Sequence, residues 1–250
     1  MGGSIRQRRG CSRFEELAWR RTPLGELSLR RRWDPVAGRD VHEIKLGDEY
    51  LMSSLFTTGE VELARLALAG WSGTRLEVAV GGLGLGYTAQ TVLDHPDVAS
   101  LVVIEAFDEV IDWHRRGLVP ASAVLATDPR CRLLSGDLFT MLRSPAGLDP
   151  DTPDRRFHAI LVDIDHSPRH LLHPDHGWFY RPAGLRRLTA HLNPGGVLGL
   201  WSNDPPDDLF LTTLRDVFGQ AAAETVHFPN PYQPEQAANT IYLAHTPPNP

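Results

Sequence analysis

Between residues 76 and 201 the chain alternates short apolar runs with stretches of helical spacing. The runs 76–80, 101–105, 131–135, 159–163 and 197–201 are mostly apolar and are bounded by Gly, Asp, Asn or Pro. Apolar strands separated by helices are the pattern of a parallel sheet buried on both faces. Two further runs, 224–227 and 240–244, have only a Pro-, Asn- and Gln-containing loop between them, so the last strand is expected to run antiparallel. Seven strands with an antiparallel final pair predict an α/β protein with a Rossmann-like, seven-stranded, methyltransferase-type sheet.

The start of the chain has a different rhythm. Segments 16–21, 26–33 and 41–52 are separated by Thr22-Pro23-Leu24-Gly25 and Asp34-Pro35-Val36-Ala37-Gly38, and Leu27 and Leu29 alternate with Glu26, Ser28 and Arg30. Period-two alternation between turn formers predicts a small N-terminal antiparallel β-ribbon. From 58 to 69, Val61, Leu63, Ala64, Leu66 and Leu68 recur at helical spacing behind a threonine, with Glu60 near the start. This predicts a helix leading from a ribbon region, 1–56, into a sheet domain, 57–250.

Composition narrows the class. With 42% hydrophobic and 22% charged residues in 250, the chain is that of an ordinary folded protein. The longest uncharged stretches, 78–93 and 188–203, carry four and three glycines and are too short to span about 30 Å of hydrocarbon, so no membrane contact is expected. The only cysteines are Cys11 and Cys131, and the arginines near Met1 lead into no apolar run; a cytoplasmic protein without a disulfide framework is expected. Residues 1–40 carry a net charge of +5 and the remainder −11. Arginines paired with glutamates on a solvated ribbon account for the basic start, and nucleic-acid binding is not expected.

The first run ends in Gly81-Gly82-Leu83-Gly84-Leu85-Gly86 before a helical stretch. Such a loop lets a ligand approach backbone N–H groups at a helix N-terminus. Counting from Gly82, Tyr87 takes the place of the third glycine that a dinucleotide site requires, which disfavours NAD. Glu105 ends the second run, roughly 20 residues on, where a doubly wound fold offers a carboxylate to ribose hydroxyls. Asp137 follows the third run and can accept from an adenine amino group, with Leu138 or Phe139 packing the ring; capping of the following helices is the plainer role for both acids. Asp163, Asp165 and His166 follow the fourth run on the rim where ligands bind such sheets, and suit proton abstraction from an amine. His166, His170, His173 and His176, with Asp175, are competent metal ligands, but Pro168 and Pro174 interrupt them. A polar lid is expected there rather than a metal site.

In this order the elements resemble the spermidine synthase (polyamine aminopropyltransferase) family, within the class I S-adenosylmethionine-dependent methyltransferase fold. The resemblance runs from the ribbon through the sheet. It rests on the glycine loop 81–86, on Ile104-Glu105-Ala106-Phe107-Asp108-Glu109-Val110-Ile111, on Gly136-Asp137-Leu138, on the Asp-Ile-Asp-His-Ser-Pro segment 163–168, and on Leu192-Asn193-Pro194-Gly195-Gly196-Val197. It implies a donor pocket of Gly81, Gly82, Gly84, Gly86, Glu105, Ala106, Asp137, Leu138 and Asp163, holding S-adenosylmethionine or its decarboxylated form. It implies catalysis by Asp163, with Asp165 and His166 at the place of the second motif acid, a small-molecule acceptor, no metal, and a homodimer.

Departures from the family pattern shape the expected reaction. Gly84 stands where the family keeps a loop Asp facing the donor's ammonium, and the family's Tyr-His-Glu on the linking helix reads Leu63-Ala64-Arg65. The expectation is a transferase that takes intact S-adenosylmethionine at least as readily as the decarboxylated form, moving a methyl or other alkyl group to an amine or hydroxyl. Polyamine aminopropyl transfer, a non-catalytic adenosyl-nucleoside module and a nicotinamide oxidoreductase stand as alternatives.

Overall fold

In a computed structural model the described residues are 14–71, 73 and 75–248; the Arg-rich start, with Cys11, lies outside them. The chain divides into two compact units, Met1–Leu55 and Phe56–Pro250.

The first unit is a four-stranded antiparallel meander: β1 (Phe14–Thr22), β2 (Gly25–Asp34), β3 (Arg39–Leu46) and β4 (Glu49–Ser53). The sequence pattern joined β3 and β4 into one segment. They are instead a hairpin in which Leu46 pairs with Glu49 across Gly47-Asp48, a two-residue turn opened by Gly47 at φ +59°. Leu27, Leu29, Val41 and Ile44 are buried. Arginines pair with acids here: Arg31 with Glu15 at 2.5 Å, and Arg32 with both Asp34 at 2.6 Å and Glu43 at 2.7 Å.

The second unit begins with α1 (Thr58–Leu68) and continues through β5 (Leu76–Gly81), α2 (Tyr87–Asp94), β6 (Val98–Glu105), α3 (Asp108–Arg115), α4 (Ser122–Leu125), β7 (Cys131–Ser135), α5 (Leu138–Met141) and β8 (Phe157–Val162). A 3-10 turn over Pro174–Trp178, α6 (Pro182–Thr189), β9 (Leu192–Ser202), α7 (Asp208–Phe218), β10 (Gln220–Phe228) and β11 (Ala237–His245) complete it. The strand order is β10-β11-β9-β8-β5-β6-β7. β5, β6, β7, β8 and β9 are parallel, and β11 runs antiparallel to both β9 and β10. The expected α/β sheet with its antiparallel final pair is therefore present.

The central strands are apolar throughout because both faces are covered. Val78, Ala79, Val80, Leu101, Val103, Ile160 and Leu161 have essentially no exposed surface, and each valine, leucine or isoleucine so enclosed contributes about 1.5 to 3 kcal/mol. No helix among the described residues is long and apolar enough to cross a membrane.

Candidate active site

Parallel register gathers the site along one edge. Gly81 pairs with Ile104 and with Val162, and Glu105 pairs with Ser135. The row continues one residue past the strands, with Gly82 N donating to Ile104 O, Gly136 N to Glu105 O, and Asp163 N to Gly81 O, each at 2.9 Å. Gly82, Glu105, Asp137 and Asp163 thus emerge together at the carboxyl ends of β5 to β8, the ligand-binding edge of doubly wound sheets.

The loop between β5 and α2 turns at Gly82, with φ +93°. A methyl group there would fall on the backbone oxygen of Asp163, so only glycine lets the two strand ends approach. The loop's far side rests on His114, which is fully buried and whose Nε2 donates to Gly84 O at 2.9 Å. Burial holds this imidazole below its ordinary pKa, against the pull of that bond, so it is a neutral anchor. Nothing in the sequence distinguishes it from other helix histidines.

Glu105 is 7% exposed, accepting from Leu83 N on Oε2 and from Phe107 N on Oε1, both at 2.9 Å. Burial raises its pKa while the surrounding amides, Phe107 first, pull it back. The side chain thus fixes the loop's shape. Asp137 is the N-cap of α5, accepting from Thr140 N at 2.6 Å on Oδ1; its Oδ2 has no protein donor among the described residues. Leu138 is buried against Gly81, beneath the loop, and Ala106 is exposed at the edge.

Asp163 accepts from Thr88 Oγ1 on Oδ2 at 2.7 Å. Thr88 is the second residue of α2, so this contact sets Asp163 at the end of the glycine loop. The same hydroxyl lies 3.4 Å from the backbone oxygen of Glu60 in the first turn of α1. Glu60 is 8% exposed. Burial, then the charge of Asp163, push its carboxyl up to about 8; burial raises Asp163 to about 6 against the Thr88 hydrogen bond. Sequence reasoning took Glu60 for a helix-start residue. A first-turn acid is so common there that no local signal separates it from one turned inward.

Asp165 is held by three donors. Its Oδ1 accepts from Leu172 N at 2.7 Å and from His176 Nδ1 at 2.8 Å, and its Oδ2 from Tyr180 Oη at 2.8 Å. With no exposed side-chain surface and three donors, it ties the loop following β8 to the 3-10 turn. His166 gives its backbone oxygen to Asn203 N at 2.7 Å, Ser167 Oγ donates to Asp204 Oδ2 at 2.6 Å, and His170 Nδ1 meets the same oxygen at 2.9 Å. The side chains of His170 and His176 thus tie loops together. Among the described residues no three or more His, Cys, Asp or Glu side chains are gathered as a metal site.

A glycine loop, a buried acid on the next strand, a capping acid on the third and a half-buried carboxyl on the fourth line the ligand-binding edge of a doubly wound sheet of the class I methyltransferase kind. In its fold the chain is similar to solved spermidine synthases. A solved spermidine synthase in complex with the transition state analogue AdoDATO superposes with a TM-score of 0.70 at 18% identity, covering 94% of this chain and 74% of that one. The Thermotoga maritima spermidine synthase gives 0.68 at 16%, covering 94% and 73%. Human methyltransferase-like protein 13 in complex with SAH gives 0.51 at 21%, covering 76% and 80%. In sequence the chain is similar to the polyamine aminopropyltransferases of Mycobacterium tuberculosis and Mycobacterium bovis, 26% identical over 133 residues, or 53% of this chain. That match spans about a quarter (24%) of the relatives' own length. No family model matches the chain. The resemblance read from the glycine loop and the Glu105 and Asp137 segments is thereby borne out, as is the fold it implied.

Proposed function

We propose that the chain is a spermidine synthase-like transferase that lays an adenosyl donor along the glycine loop and transfers an aminopropyl group to a small amine, with Asp163 as base. The observation carrying this reading is the contact between Thr88 and Asp163, which puts a half-buried carboxyl, with no ion-pair partner among the described residues, at the end of the loop that would cradle the donor. Glu105 is suited to ribose hydroxyls, and the open oxygen of Asp137 to an adenine amino group. Related proteins support the donor class: one spermidine synthase is described with a transition state analogue, and the methyltransferase-like protein with SAH.

The choice of donor follows from charge. No Lys, Arg or His contributes to the environment of Asp163. The α-carboxylate of intact S-adenosylmethionine would meet this anion unscreened, whereas the bare ammonium of the decarboxylated donor would be paired by it. Gly84 leaves the loop without an anion, the ground for expecting the intact donor; in the present reading the anion comes instead from the end of β8. In the transfer, Asp163 takes a proton from the acceptor ammonium. The freed nitrogen pair forms a C–N bond as the C–S bond breaks, and the electrons of that bond stay on sulfur in a neutral thioether.

The test is turnover of the full chain with decarboxylated S-adenosylmethionine and a mixture of diamines, followed by mass spectrometry. Methylthioadenosine with an aminopropylated amine is expected. In a parallel incubation with intact S-adenosylmethionine, S-adenosylhomocysteine, with no methylthioadenosine formed in the first, would replace this reading with methyl transfer.

A further inference from the structure

We propose that His114 is a positioning residue for the adenosyl donor: from α3 its Nε2–H grips the Gly84 carbonyl and holds the glycine loop in the shape that receives the donor. The inference rests on the reading of that loop as the donor cradle and adds a residue that acts through the loop alone. His114 follows Val110 and Ile111 by four and three residues, and so shares the inward face of α3 with them. It has no exposed surface, and its Nε2 stands 2.9 Å from Gly84 O. A carbonyl only accepts, so Nε2 carries the proton and Nδ1 is bare. Nδ1 is buried and has no hydrogen-bond partner among the described residues. The same ring backs Gly86, where a Cβ would come within 2.8 Å of Cε1.

The loop needs such a brace. Gly84 and Gly86 stand at φ +48° and +91°, and neither has a side chain whose packing could fix it there. Glu105 draws on the amides of Leu83 and Gly84, so Gly84 is held at its N–H by β6 and at its C=O by α3. In the planar trans peptide that follows, the Leu85 N–H points opposite to the Gly84 carbonyl and is therefore directed away from α3. A loop already in shape loses less freedom when a ligand binds. The brace thus acts on donor affinity and leaves the chemical step to Asp163. Only the neutral ring can serve, because a proton on Nδ1 would be a buried charge without an acceptor. No charged side chain offsets this: Asp108, Glu109, Asp112 and Arg115 on α3, Glu105 on β6, and Cys131 and Arg132 on β7 leave the ring unperturbed, and α4 carries no titratable group.

Calorimetric titration of the full chain with methylthioadenosine tests this on two variants. Gln places an amide N–H where Nε2 stands, and Leu fills much of the space without a donor. His114→Leu is expected to bind about tenfold more weakly than the wild type, or worse, and His114→Gln to recover most of that loss. In turnover the donor KM of His114→Leu is expected to rise while kcat stays within about threefold. Wild-type affinity in His114→Leu would overturn the proposal. Equal losses in the two variants would also overturn it, leaving the ring as packing only. Imidazole nitrogen NMR of the wild type reads the brace without any substitution. At pH 6.5, where an ordinary histidine is about half protonated, His114 is expected to be neutral with its proton on Nε2; an imidazolium, or a proton on Nδ1 alone, would overturn the proposal. The folded pKa is lowered by burial, so the ring's stabilisation is present above pH 6.5 and is lost as pH falls below it. The Tm of His114→Gln is therefore expected to gain on the wild type as pH is lowered from 7 to 5. Failure of the wild type to bind methylthioadenosine would instead defeat the adenosyl-donor reading, and this inference with it, whatever the spectra show.

Discussion

Asp163→Asn is expected to lower turnover roughly 100-fold or more while leaving affinity for an adenosyl nucleoside near that of the wild type. The amide has the shape of the carboxylate and still offers an oxygen to Thr88, whose hydroxyl lies 2.7 Å from Oδ2. It cannot take a proton from an acceptor ammonium. The asymmetry between kcat and binding is therefore diagnostic, and steady-state kinetics paired with calorimetric titration of methylthioadenosine measures both. Equal turnover in the two proteins would exclude Asp163 as the base. The structure offers no ready substitute in Asp165, whose oxygens already accept from Leu172, His176 and Tyr180.

A second large effect is expected at Glu105. Glu105→Ala removes the proposed ribose partner and should weaken nucleoside binding about tenfold to a hundredfold, from a loss of about 1.5 to 3 kcal/mol per charged hydrogen bond. Stability should fall as well, by about 1 to 3 kcal/mol, because the amides of Leu83 and Phe107 lose their acceptor. Calorimetry with methylthioadenosine and urea unfolding separate the two effects. Lower stability with unchanged affinity would leave Glu105 as a loop brace only.

The sheet was legible because parallel strands covered on both faces become unbroken apolar runs, as at 76–80 and 101–105. β9 was read short: it starts at Leu192, and Asn193-Pro194-Gly195-Gly196, which look like turn formers, lie within the strand whose first residue pairs with Phe157. The split between β3 and β4 was missed because Gly47-Asp48 interrupts a stretch whose flanks both alternate. Glu105 and Asp137 could be placed from strand ends alone, since parallel register carries them to one edge. What the sequence could not separate were Asp163 and Asp165, two acids on one short loop. Their surroundings differ only in the folded chain: three donors meet Asp165, and one threonine meets Asp163. The burial of Glu60 was illegible for the same reason, since α1 packs against α2, β9 and β11, all distant in the chain.

The central claim is that an anion at the loop's end selects a donor ending in an ammonium. Competition calorimetry at pH 7.5, with decarboxylated and intact S-adenosylmethionine displacing methylthioadenosine from the full chain, tests it most directly. The account predicts that the decarboxylated donor binds at least about tenfold tighter, a difference of about 1.4 kcal/mol, and that this preference shrinks in Asp163→Asn. Equal affinities, or tighter binding of the intact donor, would contradict it.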